Sequence, residues 1–179
     1  EVAAQRVLAA ACERGDLKTV KFLVHLGANA NDGFSLANAC YSNQYDVVEY
    51  LISCGADVHI FNDYPIYFAC SHDYVELCGC LLTHGNYSEG RLNMMLSLVA
   101  KRGCLDTVRL LMKFGARVTG DGVMAVDVAI RRGYLEVAKY IVSVSDDIGL
   151  TKRAMIVAEL QDCTELAQYF AGLLAESLD

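Results

Sequence analysis

Several residue types and patterns are scarce or absent in this chain of 179 residues, and their absence narrows the fold classes that it can adopt. Tryptophan is missing, proline occurs once, and charged residues make up only 21% of a sequence that is 54% hydrophobic. A chain with so little proline and charge can bury a core, which excludes general disorder. No uninterrupted run of about 18 apolar residues occurs, which excludes a transmembrane helix.

Positive charge is in the minority, with 15 Lys and Arg residues against 22 Asp and Glu residues and a formal net charge of −7. This balance argues against non-specific binding of the whole chain to nucleic acid or to an anionic membrane. The chain starts at Glu1 and shows no basic segment followed by an apolar run. Targeting therefore stays open, since a leader can have been removed or the chain can be a piece of a longer protein.

Eight cysteines are present, but they lack the regular spacing in loops that marks a disulfide framework. Cys12, Cys40 and Cys70 each follow an alanine in an apolar helical segment, where a thiol packs as a small hydrophobic group. We therefore expect reduced thiols and an intracellular protein, cytoplasmic or nuclear.

The strongest feature of the sequence is an internal repeat. Each copy starts with a small or polar residue and continues with apolar residues at helical spacing, and four of the copies then reach Gly-Ala or Gly-Asn. The six starts, at intervals of 28 to 30 residues, are Gly15, Asn43, Asp73, Gly103, Gly133 and Asp162. Self-similarity at this period predicts stacked supersecondary units.

Each copy predicts two short helices. The apolar stripe after each start fits one helix of about ten residues, and the closing glycine (Gly27, Gly55, Gly85 or Gly115) is expected to be a left-handed C-cap. An earlier short helix ends in a pair of residues three apart, which face the same way and whose small member permits close helix approach; the pairs are Leu8/Ala11, Leu36/Ala39, Ile66/Ala69, Leu96/Val99, Val126/Ala129 and Met155/Ala158. We predict an all-α solenoid of about six helix-turn-helix repeats that occupies residues 1–179 as a single domain.

The second half of each copy resembles the ankyrin repeat, as in Gly55-Ala56-Asp57-Val58-His59, and the resemblance covers essentially the whole chain. An ankyrin repeat usually has about 33 residues and opens its first helix with Thr-Pro-Leu-His. Here the step is near 30 residues and only Pro65 takes the proline position, so we expect shortened hairpins between repeats. The step and the segment 62–66 are similar to the ankyrin arrays of giant DNA viruses.

Catalytic and cofactor motifs are weak. His72, Cys78, Cys80 and His84 resemble a zinc ligand set, but residues 78 and 80 point about 200° apart on one helix. Residues 120–125 match G-x-G-x-x-A without the preceding strand that a dinucleotide site needs. No nucleophile elbow or phosphate loop occurs. We expect no enzyme activity, no cofactor and no metal.

The resemblance implies noncatalytic protein–protein recognition through a concave groove, as an adaptor or scaffold, with a viral or pathogen protein engaging host proteins as one role. It also implies that Asn31 and His59 occupy a position that some ankyrin repeats offer to a hydroxylase. Transferred by register, the candidate partner-binding residues are Tyr41, Tyr64, Tyr67, Lys101, Arg102, Arg131 and Arg132.

Charge is unevenly distributed along the chain: residues 1–100 carry −6, residues 101–153 carry +4 and residues 154–179 carry −5. One interpretation is an uneven solvated surface. Another is an acidic or phosphorylated protein segment held by the four basic candidates, with Tyr64 and Tyr67 as anchors. Nucleotide or nucleic-acid binding by the same basic residues, and self-association through apolar ends of the chain, remain as alternatives.

Overall fold

The computed structural model describes residues 2–118, 121–145 and 147–176, with only the backbone described for Val2 and for residues 121–124. In these ranges every regular element is an α-helix, which confirms the all-α helical-repeat fold. The helices are α1 (Val2–Arg14), α2 (Leu17–His25), α3 (Phe34–Tyr41), α4 (Tyr45–Ser53), α5 (Ile60–Ser71), α6 (Val75–His84), α7 (Glu89–Ala100), α8 (Leu105–Lys113), α9 (Asp121–Arg131), α10 (Leu135–Ser143), α11 (Ile148–Leu160) and α12 (Thr164–Glu176).

A left-handed residue separates the two helices of every pair. The φ angles at the six repeat starts lie between 54° and 78°. Glycine adopts this region without steric cost, and asparagine and aspartate tolerate it better than other residues do. The small or polar residue that opens each copy in the sequence therefore has a backbone cause.

The chain forms two compact units, Glu1–Asn86 and Tyr87–Asp179, with three helix pairs in each. In the first unit α1, α3 and α5 pack side by side, and α2, α4 and α6 form a second layer against them. All three predicted pairs of this unit, Leu8/Ala11, Leu36/Ala39 and Ile66/Ala69, are at most 1% exposed. A single continuous solenoid over residues 1–179 stays a prediction.

In the second unit α7, α9 and α11 form one layer, and α8, α10 and α12 form the other. Leu96/Val99 and Val126/Ala129 are buried, as a pair that faces a neighbouring helix requires. The last pair differs, because Ala158 is buried while Met155 is only half-buried. The stripe that α11 buries includes Leu150, Ala154 and Ala158, and Met155 lies about 100° from Ala154 at the edge of that stripe.

The predicted helix-ending glycines behave in two ways. Gly27, Gly55 and Gly115 have φ angles between 90° and 98°, as a left-handed cap requires. The prediction is wrong at Gly85, which is extended with φ −100° and ψ 139°. There α6 continues through His84, whose ring Nδ1 lies 2.9 Å from the Cys80 carbonyl oxygen, and the chain leaves in an extended conformation.

Side-chain amides connect successive repeats in place of long hairpins. The Asn31 Oδ1 accepts a hydrogen bond from the Asp57 backbone N–H at 2.8 Å, and the Asn93 Oδ1 accepts one from the Arg117 N–H at 2.7 Å. Between α1 and the segment that follows α2, the Gln5 Oε1 accepts a hydrogen bond from the Asn29 backbone N–H at 3.1 Å. Asn31 thus has a structural role, and its hydroxylation stays a prediction, as does that of His59.

The first helix of the third repeat begins irregularly. Phe61, Asn62 and Asp63 are left-handed, with φ angles of 50°, 58° and 65°, so regular helical geometry in α5 starts after Asp63. Pro65 then falls in the first regular turn, where its missing N–H costs no hydrogen bond. The proline that the sequence analysis singled out therefore marks a true helix start.

The cysteines are mostly core residues, and no disulfide joins them in the described ranges. Burial raises the pKa of the Cys12 and Cys40 thiols to about 12. Cys54, in contrast, is exposed at the end of α4.

Alkylation by iodoacetamide at pH 8 is therefore expected to modify Cys54 and to leave Cys12 and Cys40 unmodified in the native protein. At that pH a thiol with a pKa of about 12 is ionised in only about one molecule in ten thousand, and the thiolate is the reactive form. Peptide mass spectrometry checks the result, and the same protein in urea is the control in which all three react. Rapid native labelling of Cys12 or Cys40 would contradict their burial.

Candidate partner-binding surfaces

The seven predicted partner-binding residues fall into two groups, one in each unit. Tyr41, Tyr64 and Tyr67 belong to the first unit. Lys101, Arg102, Arg131 and Arg132 belong to the second unit. Each group forms a surface that is described by itself.

The tyrosines lie on the layer of first helices. Tyr41 ends α3 and is 59% exposed, and Tyr64 and Tyr67 on α5 are 41% and 45% exposed. The ring centres of Tyr41 and Tyr64 lie 5.0 Å and 5.8 Å from that of Phe68. Tyr67 precedes Phe68 by one residue and so points about 100° away around the helix.

Phe68 is the centre of a larger group of rings. Its ring stacks on His72 at 3.9 Å between centres and lies 6.3 Å from Tyr74, which in turn lies 5.6 Å from His72. We call Tyr41, Tyr64, Phe68, His72 and Tyr74 the aromatic cluster. The His72 Nδ1 lies 3.0 Å from the Phe68 carbonyl oxygen, which holds the imidazole against the end of α5.

Sequence reasoning missed Phe68 and Tyr74 as members of this surface. A signal for Phe68 was present, since Tyr64, Phe68 and His72 follow one another at four-residue intervals and therefore share one helix face. Tyr74 precedes α6 as its N-cap residue, beyond the turn that follows α5. Its contact with Phe68 depends on how the two helices of the pair fold back on each other.

The basic residues follow the ends of two adjacent helices of the second unit. Lys101 and Arg102 come directly after α7, Arg131 ends α9 and Arg132 follows it, and α7 packs beside α9. The Arg132 Nη1 donates a hydrogen bond to the Lys101 carbonyl oxygen at 3.0 Å, which brings the two pairs together. We call these four residues the basic band; Lys101 is half-buried and the three arginines are exposed.

Three other cations of this unit are neutralised within the chain. The ion pairs are Arg109 with Asp106 at 3.9 Å, Lys139 with Glu136 at 3.0 Å and Arg153 with the buried Asp127 at 2.6 Å. Hydrogen bonds to these carboxylates raise the pKa of Lys139 and of Arg153. Among the described residues no carboxylate pairs with the basic band, so its charge remains available to a ligand.

The four residues considered as zinc ligands make different contacts, and His72 stacks on Phe68. The Cys78 Sγ lies 3.7 Å from the Cys70 Sγ, whereas the Cys80 Sγ lies 4.0 Å from the His84 Nδ1. In the described ranges no three His, Cys, Asp or Glu side chains come together as a metal site. Gly120 of the G-x-G-x-x-A segment lies outside the described residues, and α9 begins at the next position.

A cleft of about 540 Å³ lies between the ends of α8 and α10 and includes Lys113, Arg117, Tyr140 and Asp147. The Asp147 Oδ1 accepts hydrogen bonds from the Gly149 and Leu150 backbone N–H groups at 2.8 Å and 3.2 Å. This carboxylate therefore caps α11, which accounts for its position.

Across the described helices, none is both long and apolar enough to span a bilayer.

Comparisons with known proteins agree with this architecture. A family model described as "Ankyrin repeats (3 copies)" matches residues 3–62 and 66–154, which is more than half of the chain. The chain is 31% identical over 110 residues to ankyrin repeat protein R600 of Acanthamoeba polyphaga mimivirus, which is 62% of this chain and 30% of the relative. It is 30% identical over 83 residues to ankyrin repeat protein L66 of the same virus, or 46% of this chain and 14% of the relative.

A shorter match joins the chain to a third mimivirus protein, ankyrin repeat protein L56, at 42% identity over 48 residues. That match covers 27% of this chain and 8% of the relative. The chain thus spans less than a third of the length of each of these curated relatives.

Proposed function

Because the chain belongs to the ankyrin-repeat family, whose repeats generally mediate protein–protein interaction without catalysis, we propose that it is an adaptor or scaffold module. Its partner is a protein with an acidic or phosphorylated segment, which binds the surface that the first helices of the second unit and the turns after them form. The acidic or phosphorylated segment binds at the basic band of the second unit, and the exposed tyrosines Tyr41, Tyr64 and Tyr67 of the first unit are a separate partner-binding surface.

The observation that carries this proposal is the concentration of four cations at the ends of the adjacent helices α7 and α9, where the Arg132 Nη1 donates a hydrogen bond to the Lys101 carbonyl oxygen. Within the described residues no carboxylate forms an ion pair with these four cations, whereas Arg109, Lys139 and Arg153 are each paired with a carboxylate of the chain. The planar guanidinium groups of the three arginines suit carboxylate or phosphate oxygens, which they bind through two parallel hydrogen bonds. A rigid helical scaffold lowers the ordering cost of such binding.

The similarity to mimivirus proteins supports a place for this module in a virus that engages host proteins. On that proposal the chain acts inside the cell, in the host cytoplasm or nucleus. No catalytic, cofactor or metal role is part of it.

The double substitution Arg131→Glu/Arg132→Glu is expected to weaken binding of an acidic peptide by roughly tenfold or more, because two attractive contacts become repulsive. The probe is a fluorescein-labelled ten-residue Ser-Glu peptide, with a phosphoserine version beside it, and the readout is fluorescence anisotropy. Circular dichroism checks that the variant keeps its helical content. Affinity capture from lysate with the same two proteins then identifies natural partners.

The matched control is Lys113→Glu/Lys152→Glu, which makes the same change in net charge at two exposed lysines outside the basic band. Retained binding by this control places the site at the band. An equal loss in both double variants would mean that overall charge, and no particular surface, attracts the peptide, and the proposed site would be abandoned.

A second candidate function is nucleotide or nucleic-acid binding, which the same four cations favour. Neutralising several phosphates releases counterions, so such binding weakens steeply with salt. A labelled twenty-nucleotide single-stranded RNA, titrated at 50 and 200 mM NaCl, separates the two: tight and strongly salt-dependent binding favours the nucleic acid.

Self-association is a third candidate, and exposed apolar side chains favour it. Leu26 and Phe22 of the first repeat are 66% and 60% exposed, and Leu160 of the last repeat is 74% exposed. Light scattering over a concentration series tests it, because a self-assembling segment gains mass with concentration and is insensitive to substitutions in the basic band.

A further inference from the structure

We propose that the aromatic cluster of the first unit binds a basic segment of a protein partner, whose arginine or lysine side chains lie over the ring faces. The inference rests on the proposed function, in that the chain is taken to bind proteins. It concerns a different surface from the basic band and a partner segment of opposite charge.

The part of the chain that carries the aromatic cluster is acidic. Residues 22–90 contain no lysine or arginine and eight Asp or Glu residues. The whole first unit, residues 1–86, has four basic residues, all before residue 22, against ten acidic ones. Asp63 and Asp73 adjoin the cluster in the chain. A basic segment is attracted by this field and an acidic one is repelled.

Cations of the chain lie over some of the tyrosines outside the cluster. A cation of the chain itself lies over three of them: Lys21 over Tyr50 at 5.4 Å, Arg109 over Tyr140 at 5.3 Å and Lys139 over Tyr169 at 5.6 Å. In the described structure no such cation covers a ring of the aromatic cluster, and residues 22–90 contain none to supply one. The faces that attract cations elsewhere in the chain are thus left for a ligand.

The rings of the aromatic cluster are held in place by their neighbours. Phe68 is half-buried, with Tyr41 and Tyr64 tilted against it at 35° and 40°, so the two exposed rings are fixed by packing. Both of their centres lie within 5.8 Å of the Phe68 ring centre. Two cations spaced two or three residues apart on an extended peptide can therefore reach both rings at once. Pre-positioned rings lose little entropy on binding.

The test uses fluorescence anisotropy at 150 mM NaCl with three labelled nine-residue Gly-Ser peptides. One carries three arginines, the second carries citrulline at the same positions, and the third carries glutamate. Citrulline keeps the shape of arginine without its charge. We expect the arginine peptide to bind at least about tenfold more tightly than the citrulline peptide, and the glutamate peptide not to bind at the cluster.

The variant Tyr41→Ser/Tyr64→Ser is expected to weaken arginine-peptide binding about tenfold, because it removes two exposed ring faces of the aromatic cluster. Phe68 is left intact because it packs under both rings. The matched control is Tyr169→Ser, a tyrosine of the second unit that is 38% exposed and is already covered by Lys139. It should bind the arginine peptide as the wild type does, and circular dichroism checks the helical content of both variants.

Equal binding of the arginine and citrulline peptides, or wild-type affinity in the Tyr41/Tyr64 variant, overturns the inference. The acidic peptide is titrated against the same proteins, which separates the two proposals. A wild type that binds the acidic peptide but not the arginine peptide overturns the present inference alone. A wild type that binds only the arginine peptide, with loss in the tyrosine variant, supports the inference and counts against the acidic partner.

Discussion

Replacing Leu111 by alanine is expected to lower the free energy of unfolding by about 2–5 kcal/mol. Leu111 is fully buried on α8, within the core that α7 and α8 share in the second unit. Alanine removes apolar contacts and leaves a cavity that the two packed layers can fill only in part. A urea titration followed by far-ultraviolet circular dichroism measures the loss.

Leu160→Ala is the matched control for this substitution. Leu160 lies at the end of α11 with 74% of its surface exposed, so its replacement should change the free energy of unfolding by less than about 0.5 kcal/mol. If Leu111→Ala were no more costly than Leu160→Ala, the buried face assigned to α8 would be wrong, and with it the register of the fourth repeat.

Gly103→Ala is expected to lower the free energy of unfolding by about 2–4 kcal/mol, from two separate causes. The φ angle of Gly103 is 77°, a region in which alanine is strained. A Cβ at this position would also lie 2.5 to 2.8 Å from three carbon atoms of the Tyr134 ring, so that ring would have to move. Urea titration again supplies the measurement.

Gly133→Ala separates the two causes. Gly133 has nearly the same φ angle, 78°, but a Cβ there would meet no atom within 4 Å. Gly133→Ala should therefore lower the free energy of unfolding by the backbone strain alone, about 1–2 kcal/mol. In a protein that already carries Tyr134→Ala, Gly103→Ala should lower the free energy of unfolding by no more than Gly133→Ala does in the wild type. Equal losses in the two single variants would refute the close approach of Tyr134.

The repeat architecture could be predicted from the sequence because its causes are local. An apolar stripe at helical spacing makes a helix amphipathic whatever its neighbours are, and Gly, Asn or Asp at each repeat start allows the left-handed turn that reverses the chain. Pairs such as Leu8/Ala11 and Ile66/Ala69 followed from the same periodicity. Their burial at 0% exposure confirms that reasoning.

The predictions failed or fell short where packing outweighs local preference. Gly85 had the residue type of a left-handed cap, but it is extended, since α6 runs on to His84. Met155 lies at the edge of a stripe that the α11–α12 packing selects. The candidate tyrosines were predicted from their register in the repeat. Phe68, whose ring contacts Tyr41 and Tyr64, was not predicted.

The repeat number, the helical class and the positions of the turns can be read from the sequence, because they depend on residues within one turn of a helix or one reversal of the chain. Which charges pair and which rings meet depends on tertiary packing. Asp127 and Arg153, which neutralise each other, are 26 residues apart, and Tyr41 meets Phe68 only because α3 packs against α5. Such contacts join different repeats, so their consequences for binding follow from how the repeats stack.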